Sequence, residues 1–469
     1  MSGREAKSCP GCQRLRQQLQ ALQARVRQLE EALAAARKDS STSSKPPSSD
    51  IVKPPRSDGG ADGERGAGGQ PGHAKHERSP FAPEQVCESF DYRVAVCPDC
   101  GHALRPTGFG PRVLQQVELQ EIAWRVTEHR QHEAICPGCR KIYHGVLPGP
   151  IVKGGLLGPR LTALVAFLKG ACHASYSTVR KFLRDVLQLT ISRGYLAKVV
   201  AKVSEALRQP YEELLDQLPL EEQLNVDETG HKNNKVLFWT WCFRARLYTL
   251  FKIAPSRSAE VLLQVLSAEF NGVLSCDFFS AYRRYMRECD ILVQFCLAHF
   301  IREVKYLTTL PDPRDRAYGE RLREALRSLF AVIHEREHCS KAAFQRHLEK
   351  ARAWVLWHGT RAVPDTAAAG RLAARLQQYG ESYFRFITTP GVEPTNNLAE
   401  QAIRFVVIDR HITQGTRGET GQRWCERIWT VLATCAQQGR SVFEFLQTAV
   451  ERWFADAPSP SLLATEAQA

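Results

Sequence analysis

The sequence predicts a multidomain α+β/α protein, and the order of strands and helices in its C-terminal half supports this fold class. From residue 222, three alternating apolar runs predict consecutive β-strands: EQLNVDET, KVLFWTWCFRAR and LYTLFKIA. Helical and strand-like segments then alternate as SRSAEVLLQVLSAEF, NGVLSCD, FSAYRRYMREC, ILVQFC and AHFIREVKYL. Three antiparallel strands followed by strand–helix alternation is the order of an RNase H-like fold. In that arrangement the first and fourth strands lie side by side at the centre of the sheet.

The composition indicates a large basic protein with a polyanionic partner. The chain has 469 residues, a net charge of +13 and a pI near 9.1, so it is long enough for several domains. Lys and Arg neutralise phosphates, which favours DNA or RNA as the partner over the alternative of a soluble basic protein. No run of 18 apolar residues occurs and the N-terminus, MSGREAKSC, is polar, so we expect no membrane span and no signal peptide. Fifteen cysteines, an odd number, favour a reducing cytoplasm with bound metal over a disulfide framework.

Residues 1–38 are predicted to form a coiled-coil helix. Apolar residues recur within 13–37 at spacings of 4, 3, 4, 3 and 4, which is a heptad seam. The seam consists of Leu15, Leu19, Leu22, Val26, Leu29 and Leu33. We expect this seam to pair copies of the chain in a homo-oligomer; a lone amphipathic helix packed on its own chain is the alternative. Cys9 and Cys12 precede the seam, and a parallel dimer would assemble two such pairs into an inter-subunit zinc site, unless both thiols are inert.

Residues 39–80 are predicted to be a flexible linker. The segments DSSTSSKPPSSD and GGADGERGAGGQPGHAKH are rich in Ser, Pro and Gly and contain almost no apolar residue. Such a composition buries too little apolar surface to offset the entropy of ordering the chain. Its scattered positive charge could follow a DNA backbone, although most such linkers are only spacers.

Residues 81–150 are predicted to form a zinc ribbon. Cys97 and Cys100 make one C-x-x-C pair, Cys136 and Cys139 make another, and 35 residues separate the two pairs. Two such turns complete a tetrahedral four-cysteine zinc site, and the alternating segment between them predicts the strands of the ribbon. Since all four ligands are thiolates, we expect the zinc to be structural. A redox function is disfavoured because each pair has a partner pair.

Residues 151–210 are predicted to be helical and to contain a helix-turn-helix. The helical segments are GPRLTALVAFLKGACHA, YSTVRKFLRDVLQL and SRGYLAKVVAKVSEAL, with Ser175 and Ser192 at N-cap positions. The third helix carries basic residues that could enter a DNA major groove, namely Arg193, Lys198 and Lys202. The alternative is a helical hairpin that only packs in a core, because its pattern is similar.

Three acidic residues lie in segments that could bring their carboxylates into one cluster. Asp227 ends the apolar run of LNVDETG, Asp277 ends that of GVLSCDFFSAY, and Glu400 lies on the helical segment PTNNLAEQAIRFVV. Grouped carboxylates repel one another and are usually assembled to hold divalent cations, here two Mg²⁺ or Mn²⁺ ions for phosphodiester chemistry. Glu228 points to the opposite face of its strand and is a poorer ligand. The alternatives are aspartates in solvated turns and an ion pair of Glu400 with Arg404.

In this order the motifs resemble the DDE transposases of the insertion sequence sixty-six family over nearly the whole chain. The resemblance rests on the heptad helix, the SSKPPSSD and GGQPGH linker, the paired C-x-x-C ribbon, VDETG, the Asp277 segment, CLAHFIRE and PTNNLAEQAIR. It implies that Asp227, Asp277 and Glu400 form the catalytic triad. Two segments depart from the family pattern. FFSAYRRY stands where a Gly-Tyr-rich stretch is usual, and QGTRGETG matches the usual glycine-serine motif only loosely.

The resemblance also implies the remaining domains and the activity. The expected domains are an RNase H-like core at 211–310 and 388–450, a helical insertion at 311–387 and a C-terminal tail at 451–469. The expected function is that of a transposase in the bacterial cytoplasm or nucleoid. It would bind transposon end DNA and catalyse metal-dependent 3′-end cleavage and strand transfer. The alternatives are a catalytically silent DNA-binding repressor or architectural protein, and a metal-dependent nuclease without strand transfer.

Basic and aromatic residues around the expected catalytic core are candidates for DNA contacts. His299 and Arg302 lie one helical turn apart in AHFIREVKY and, with Arg404, are expected to contact DNA phosphates; a solvated basic helix face is the alternative. Trp354 and Trp357 lie one turn apart in ARAWVLWHG. They could stack on an unpaired base, whereas aromatic pairs at this spacing more often belong to a core.

Overall fold

The computed structural model describes residues 10–36, 82–86, 89, 99, 125–135, 137, 139, 142–144 and 146–463. The predicted linker at 39–80 lies outside these residues, as do Cys9 and three of the four predicted zinc ligands: Cys97, Cys100 and Cys136. The chain divides into two compact units, one made of Met1–Pro54 and His129–Ala469, the other of Pro55–Glu128. Within the second unit a 3-10 turn spans Pro83–Gln85.

The described residues form helices and strands with the following bounds. The helices are α1 (Pro10–Ala36), α2 (Gly149–Gly154), α3 (Pro159–Gly170), α4 (Tyr176–Asp185), α5 (Arg193–Ala206), α6 (Arg208–Gln217), α7 (Ala259–Leu266), α8 (Ser280–Cys289), α9 (Leu297–Leu307), α10 (Pro313–His334), α11 (Lys341–Thr360), α12 (Ala367–Tyr383), α13 (Arg385–Thr388), α14 (Asn397–Thr413), α15 (Glu419–Gln437) and α16 (Val442–Phe454). The strands are β1 (Glu133–Ile135), β2 (Ile142–His144), β3 (Gln223–Asn233), β4 (Val236–Arg244), β5 (Thr249–Ala254), β6 (Val273–Cys276) and β7 (Leu292–Phe295).

Five strands form one mixed sheet in the order β5-β4-β3-β6-β7. The three strands β3, β4 and β5 are antiparallel, while β6 pairs in parallel with both β3 and β7. The sequence prediction that the first and fourth of these strands are neighbours at the sheet centre is confirmed. Large aromatic side chains on β4 and β5 are fully buried, notably Trp241, Phe243 and Phe251, which explains why these runs are so apolar.

Helix α15 covers the outer edge of the sheet along β5. Alternate backbone N–H groups of this edge strand donate to side chains that recur every four residues on α15: Thr249 to Thr434 at 3.2 Å, Phe251 to Thr430 at 3.1 Å and Ile253 to Glu426 at 2.7 Å. The period of two along a strand and the period of 3.6 along a helix make these groups coincide. The unpaired N–H groups of the edge are thereby satisfied, and the edge is closed to pairing with another chain.

The helices α3–α6 pack as one body with the C-terminal helices. Ser175 and Ser192 cap α4 and α5 as predicted, each accepting a backbone N–H three residues ahead. The apolar face of α5 is buried, and α5 contacts α3, α15 and α16. Four predicted boundaries fall inside helices: 150/151 lies within α2, 210/211 within α6, 387/388 within α13 and 450/451 within α16.

Helices α10–α13 occupy the interval 311–387 that was predicted to be a helical insertion. They join the sheet through aromatic contacts next to Asp277. Phe278 lies edge-on to Tyr379 at a centroid distance of 5.2 Å and stacks on Tyr383 at 6.2 Å. The insertion is therefore packed against the strand end that carries Asp277.

The seam predicted on the N-terminal helix lies on α1 and is open to solvent in the single chain. Leu19, Leu22, Val26, Leu29 and Leu33 are 51–64% exposed. These five residues are aliphatic and lie at heptad spacing, whereas Ala34 of the same helix packs against the core.

One stretch of the described chain, Gly149–Gly170, is long and apolar enough to cross a membrane by length and composition. The stretch contains Lys153, Arg160 and Lys169, so it is not an uninterrupted run of apolar residues. The structure interrupts it between α2 and α3, where Gly155 adopts a φ of 68°. Helix α3 then packs along α16, so its apolar residues have a role in the core.

Candidate metal and catalytic centre

The alternation of side chains along β3 directs Asp227 toward α14. Asn225, Asp227 and Thr229 share one face of the strand, because successive side chains point to opposite faces. The side-chain amide of Asn225 donates to Asn396 Oδ1 at 3.0 Å, and the Thr229 hydroxyl accepts from the Arg410 guanidinium of α14 at 2.7 Å. Asp227 lies between these two contacts and therefore faces the same helix.

Asp277 directly follows the neighbouring parallel strand β6, in line with the register of Asp227. The register pairs Asn225 with Ser275, and two residues further along each strand are Asp227 and Asp277. Neighbouring strands lie about 5 Å apart, so residues in this register are adjacent. The backbone N–H of Phe279 donates to Asp277 Oδ1 at 2.8 Å, which fixes the carboxylate as the chain turns into α8.

Glu400 reaches the same region from the first turn of α14, whose start is anchored to the sheet by Asn396. The buried Asn396 amide donates to the Val226 carbonyl at 2.8 Å, in addition to accepting from Asn225. Glu400 lies 3.5 Å from His299 Nδ1 and 3.7 Å from the Arg302 guanidinium, both on α9. The ion pair with Arg404 that was the alternative for Glu400 is replaced by this contact with Arg302, although Arg404 still acts on the Glu400 charge at longer range.

The pKa of each of the three carboxylates is raised, and for Asp227 the other two carboxylates contribute to the shift. Burial, then Glu228, and then Asp277 and Glu400 raise the pKa of Asp227 well above its ordinary value. Burial and Glu228 raise the pKa of Asp277 to about 6. Burial also raises the pKa of Glu400, partly offset by Arg302 and Arg404.

This donor set fits a hard divalent cation. Within the part of the chain that the structure describes, neither Asp227 nor Asp277 has a basic side chain within ion-pair distance. Glu400 Oε1 is buried and makes no hydrogen bond. Carboxylate oxygens with unbalanced negative charge are the ligands that Mg²⁺ and Mn²⁺ prefer.

Glu228 lies on the opposite face of β3, as expected from the two-residue period. Its side chain is 1% exposed and accepts from Arg257 Nε at 2.6 Å and from the Tyr282 hydroxyl. Because both carboxylate oxygens have these partners, Glu228 is a poorer ligand for a divalent cation, as expected from the sequence. Its charge still raises the pKa of both Asp227 and Asp277.

Two residues of the centre have positions that were not predicted from the sequence. Asn396 is buried and joins α14 to β3. Cys296 was not considered, yet its sulfur lies with His299 and Glu400 in a group whose ligand atoms are all within 4.8 Å of one another. The signal in the sequence was the C-x-x-H spacing of Cys296 and His299 at a strand-to-helix junction.

Of the predicted zinc ligands and the predicted DNA-binding residues of α5, the structure describes Cys139, Arg193, Lys198 and Lys202. Cys139 is exposed and lies between β1 and β2, which pair as an antiparallel hairpin. Arg193 and Lys198 are exposed on α5. Lys202 instead donates from its ammonium group to the carbonyl of Gly154 at 3.1 Å, at the C-terminus of α2.

Trp354 and Trp357 are exposed on α11, contrary to the expectation that such a pair belongs to a core. The indole rings are 51% and 55% exposed and nearly parallel, with centroids 5.9 Å apart. His358 contacts both rings edge-on at 4.2 and 4.8 Å. The core interpretation of this pair is therefore wrong.

Comparisons with known proteins decide the family. The protein family described as "Transposase IS66 family" matches residues 154–423 of this chain. The match covers more than half of the chain and includes all three carboxylates. The chain belongs to the IS66 transposase family. The family described as "zinc-finger binding domain of transposase IS66" matches residues 95–140, and a family of unknown function matches residues 4–79.

Membership of the IS66 family makes this chain a transposase with DNA as its partner. The zinc-finger match covers the four paired cysteines and supports structural zinc there. The chain is also similar to a protein of Sinorhizobium fredii (strain NBRC 101917 / NGR234) named "Uncharacterized protein y4qI". The two are 24% identical over 422 residues, which cover 83% of this chain and 76% of that protein.

We predict that Asn396→Ala destabilises the transposase by about 2–4 kcal/mol, because two buried hydrogen bonds are lost and their partners stay buried. Denaturant titration followed by tryptophan fluorescence measures the change in the free energy of unfolding. The control is Asn397→Ala, since Asn397 is the next residue and is exposed. Equal effects of the two substitutions would contradict the anchoring role of Asn396.

We predict a pH-dependent gain in stability for Asp277→Asn in Mg²⁺-free buffer. The pKa of Asp277 is raised to about 6, so its stabilising contribution is fully present only at low pH and is lost as the pH rises through about 6. The free energy of unfolding of the variant relative to wild type should grow by about 1 kcal/mol between about pH 5.5 and pH 7.5. Zn²⁺ stays bound to the zinc finger in this Mg²⁺-free buffer at both pH values.

The control for this measurement is Asp290→Asn, because Asp290 is exposed at the end of α8. Its stability relative to wild type should be the same at both pH values. A difference between wild type and Asp277→Asn that did not change with pH would mean that the folded state does not disfavour the Asp277 charge.

Proposed function

We propose that this transposase cuts transposon 3′ ends and joins them to target DNA through Asp227, Asp277 and Glu400. One observation carries the proposal: Asp227 and Asp277 share a register on neighbouring parallel strands, and Glu400 belongs to the helix that packs over Asp227. Three carboxylates in a basic DNA-binding protein are costly unless they bind cations. That cost disfavours the alternative of a silent DNA-binding repressor or architectural protein.

An RNase H-like core is the fold that we infer for residues 211–310 and 388–450. The inference is supported by the strand order β5-β4-β3-β6-β7, with three antiparallel strands on one side and two parallel strands on the other. It is also supported by the helical insertion between β7 and α14, which separates the second and third acids in the chain but leaves the sheet continuous.

The chain's own residues orient the reacting groups. Asp227, Asp277 and Glu400 would hold two divalent cations. When bound, such cations activate a water or a DNA 3′-hydroxyl and stabilise the departing oxygen. The backbone N–H groups of Glu228 and Phe279 hold the two aspartates in place at 2.9 and 2.8 Å. Arg302 carries its guanidinium beside Glu400, where it can pair with the scissile phosphate.

The decisive experiment is an assay of labelled transposon-end DNA with Mg²⁺. We predict that Asp277→Asn lowers cleavage by at least about 100-fold, because a cation ligand is lost. The matched control is again Asp290→Asn, which should cleave at the wild-type rate. Cleavage followed by joining supports a transposase, cleavage alone supports a nuclease, and DNA binding without cleavage supports the silent binder. Wild-type cleavage by Asp277→Asn would overturn the assignment of the triad.

DNA is proposed to bind through several parts of the chain. The zinc finger and the exposed residues Arg193 and Lys198 of α5 are candidates, and a helix-turn-helix made of α4 and α5 is the interpretation that we retain. His299 and Arg302 lie at the centre itself, and Arg404 is exposed one turn beyond Glu400 on α14. These positions would guide a phosphate backbone past the carboxylates.

A line of basic and aromatic residues on α11 is proposed to contact unpaired DNA. The exposed residues His347, Lys350, Trp354 and Trp357 follow one another along α11 at spacings of 3, 4 and 3, and the exposed Arg361 comes directly after the end of the helix. Such spacing places them on one helix face. Basic side chains that flank exposed indoles suit a single strand, because the cations meet phosphates and the rings stack on bases.

We predict that Trp354→Ala lowers the affinity for DNA with unpaired bases by about 5- to 100-fold and leaves the affinity for fully paired DNA nearly unchanged. Fluorescence anisotropy with matched duplexes, with and without a short unpaired segment, measures the two affinities. The control is Trp453→Ala, because Trp453 is a half-buried tryptophan on α16 outside this line. Equal loss for both DNAs would argue against stacking on bases.

Self-association through α1 is proposed from its exposed seam, and a second copy of the chain is the occupant that heptad spacing favours. We predict that Leu22→Glu together with Leu29→Glu converts the oligomer to a monomer, since the charges would be buried in the seam. Sedimentation equilibrium measures the mass. The control is Gln20→Glu together with Gln28→Glu, two exposed positions outside the seam. A monomeric wild-type chain would exclude this role for α1.

The proposed location is the bacterial cytoplasm or nucleoid, where the DNA substrate is found. An odd number of cysteines and the zinc-finger match are consistent with a reducing compartment.

A further inference from the structure

Cys296, His299 and Glu400 form a compact group of potential ligands at the junction of β7, α9 and α14. One ligand atom from each residue lies within 4.8 Å of the others. Cys296 is the N-cap residue of α9, His299 lies in the first turn of that helix, and Glu400 lies in the first turn of α14. The starts of two helices therefore hold all three side chains.

The atoms of this group are unusually short of partners. His299 Nδ1 and Glu400 Oε1 are buried 3.5 Å apart, and neither makes a hydrogen bond with another described residue. Burial and Arg302 lower the pKa of His299 to about 4, so its ring is neutral at physiological pH and the contact is not a charged pair. Buried polar atoms without partners cost free energy, and a bound ligand would remove that cost.

The environment of the sulfur favours a metal thiolate. The backbone N–H of Asn396 donates to Cys296 Sγ at 3.1 Å, and the N–H groups of Ala298 and His299 also favour the thiolate. A metal ion that binds the sulfur would displace the thiol proton and release it to the solvent.

We propose that Cys296, His299 and Glu400 form a Zn²⁺ site that shares Glu400 with the hard-cation centre. Thiolate, imidazole and carboxylate are the donor types that zinc accepts, and three protein ligands leave a fourth position for water. Mg²⁺ avoids sulfur, so the two sites differ in selectivity. The consequence for the reaction rests on the proposed function: zinc bound here withdraws Glu400 from Asp227 and Asp277 and inhibits cleavage.

The binding test uses Co²⁺ as a spectroscopic probe on the full chain, with the zinc finger already filled with Zn²⁺. Zinc binds such thiolate sites more tightly than cobalt, so the finger keeps its metal. We expect one equivalent of Co²⁺ to bind and to produce a thiolate-to-cobalt charge-transfer band. That band should be lost in Cys296→Ser and in His299→Gln. Cys435→Ser, which changes a buried cysteine on α15 outside the group, should retain it.

Folding of the variants is checked by thermal unfolding in the absence of cobalt, which should match wild type within a few degrees. A wild-type chain without the band would overturn the proposal, and so would an unchanged band in a folded Cys296→Ser. If Cys296→Ser does not fold, the cobalt band is measured in His299→Gln instead, because this variant leaves the sulfur and its N–H donors in place. An unchanged band in a folded His299→Gln would overturn the proposal.

The inhibition test compares, for each protein, the rates of Mg²⁺-dependent cleavage with and without one added equivalent of Zn²⁺. Wild type should lose at least about tenfold in rate, whereas the ratio for Cys296→Ser should stay near one whatever its basal rate. Equal inhibition of both proteins would overturn the shared role of Glu400. If wild type shows no cleavage, the proposed function fails, and the cobalt titration still decides whether the site exists.

Discussion

Electrostatic repulsion among Asp227, Asp277 and Glu400 is the constraint on which the arrangement of this transposase depends. The charges of Asp277 and Glu400 raise the free energy of ionising Asp227, so the fold must hold the three residues together by contacts elsewhere. Parallel pairing of β3 and β6 holds the two aspartates, since a shared register leaves them no freedom to separate. The buried Asn396 amide holds the third acid, because it ties the start of α14 to β3. Cation binding would then relieve a repulsion that the protein has already assembled.

The remaining architecture keeps this sheet centre rigid from both sides. On one side α15 satisfies alternate N–H groups of the edge strand β5 through Glu426, Thr430 and Thr434, so the edge cannot slip or pair elsewhere. On the other side the helical insertion packs on Phe278 through Tyr379. Because Phe278 follows Asp277 directly, movement of the insertion would reach an acidic residue of the centre through one side chain. The insertion, on which we propose DNA contacts, is thus connected to Asp277 through one aromatic side chain.

The sequence predicted those parts of the centre that depend on local periodicity. Alternation along β3 fixed the faces of Asp227 and Glu228, and strand order brought Asp227 to Asp277, because both rules act over a few residues. The contacts of Cys296 were out of reach, since its sulfur meets the N–H of Asn396, which lies 100 residues away in the chain. The same reason applies to Lys202, whose partner carbonyl at Gly154 belongs to another helix.

Exposure was the property that the sequence predicted least well. Trp354 and Trp357 have the spacing of a core pair, yet their indoles face solvent because the adjacent positions Leu348, Ala351 and Val355 supply the buried face of α11. A helical pattern defines which residues share a face and leaves open which face is covered. The covering elements, α10 and α12, are known only once the tertiary structure is known.

The differences among the three carboxylates explain why Glu400 is the residue at which metal selectivity can be set. Asp227 and Asp277 each accept a short backbone hydrogen bond, at 2.9 and 2.8 Å, so their positions follow the main chain. Glu400 has a longer side chain, and its charged contact with Arg302 spans 3.7 Å, which is beyond a hydrogen bond. Glu400 is the residue that the proposed zinc site shares with the proposed Mg²⁺ centre. Under that proposal the identity of the cation would determine whether Glu400 binds with Asp227 and Asp277 or with Cys296 and His299.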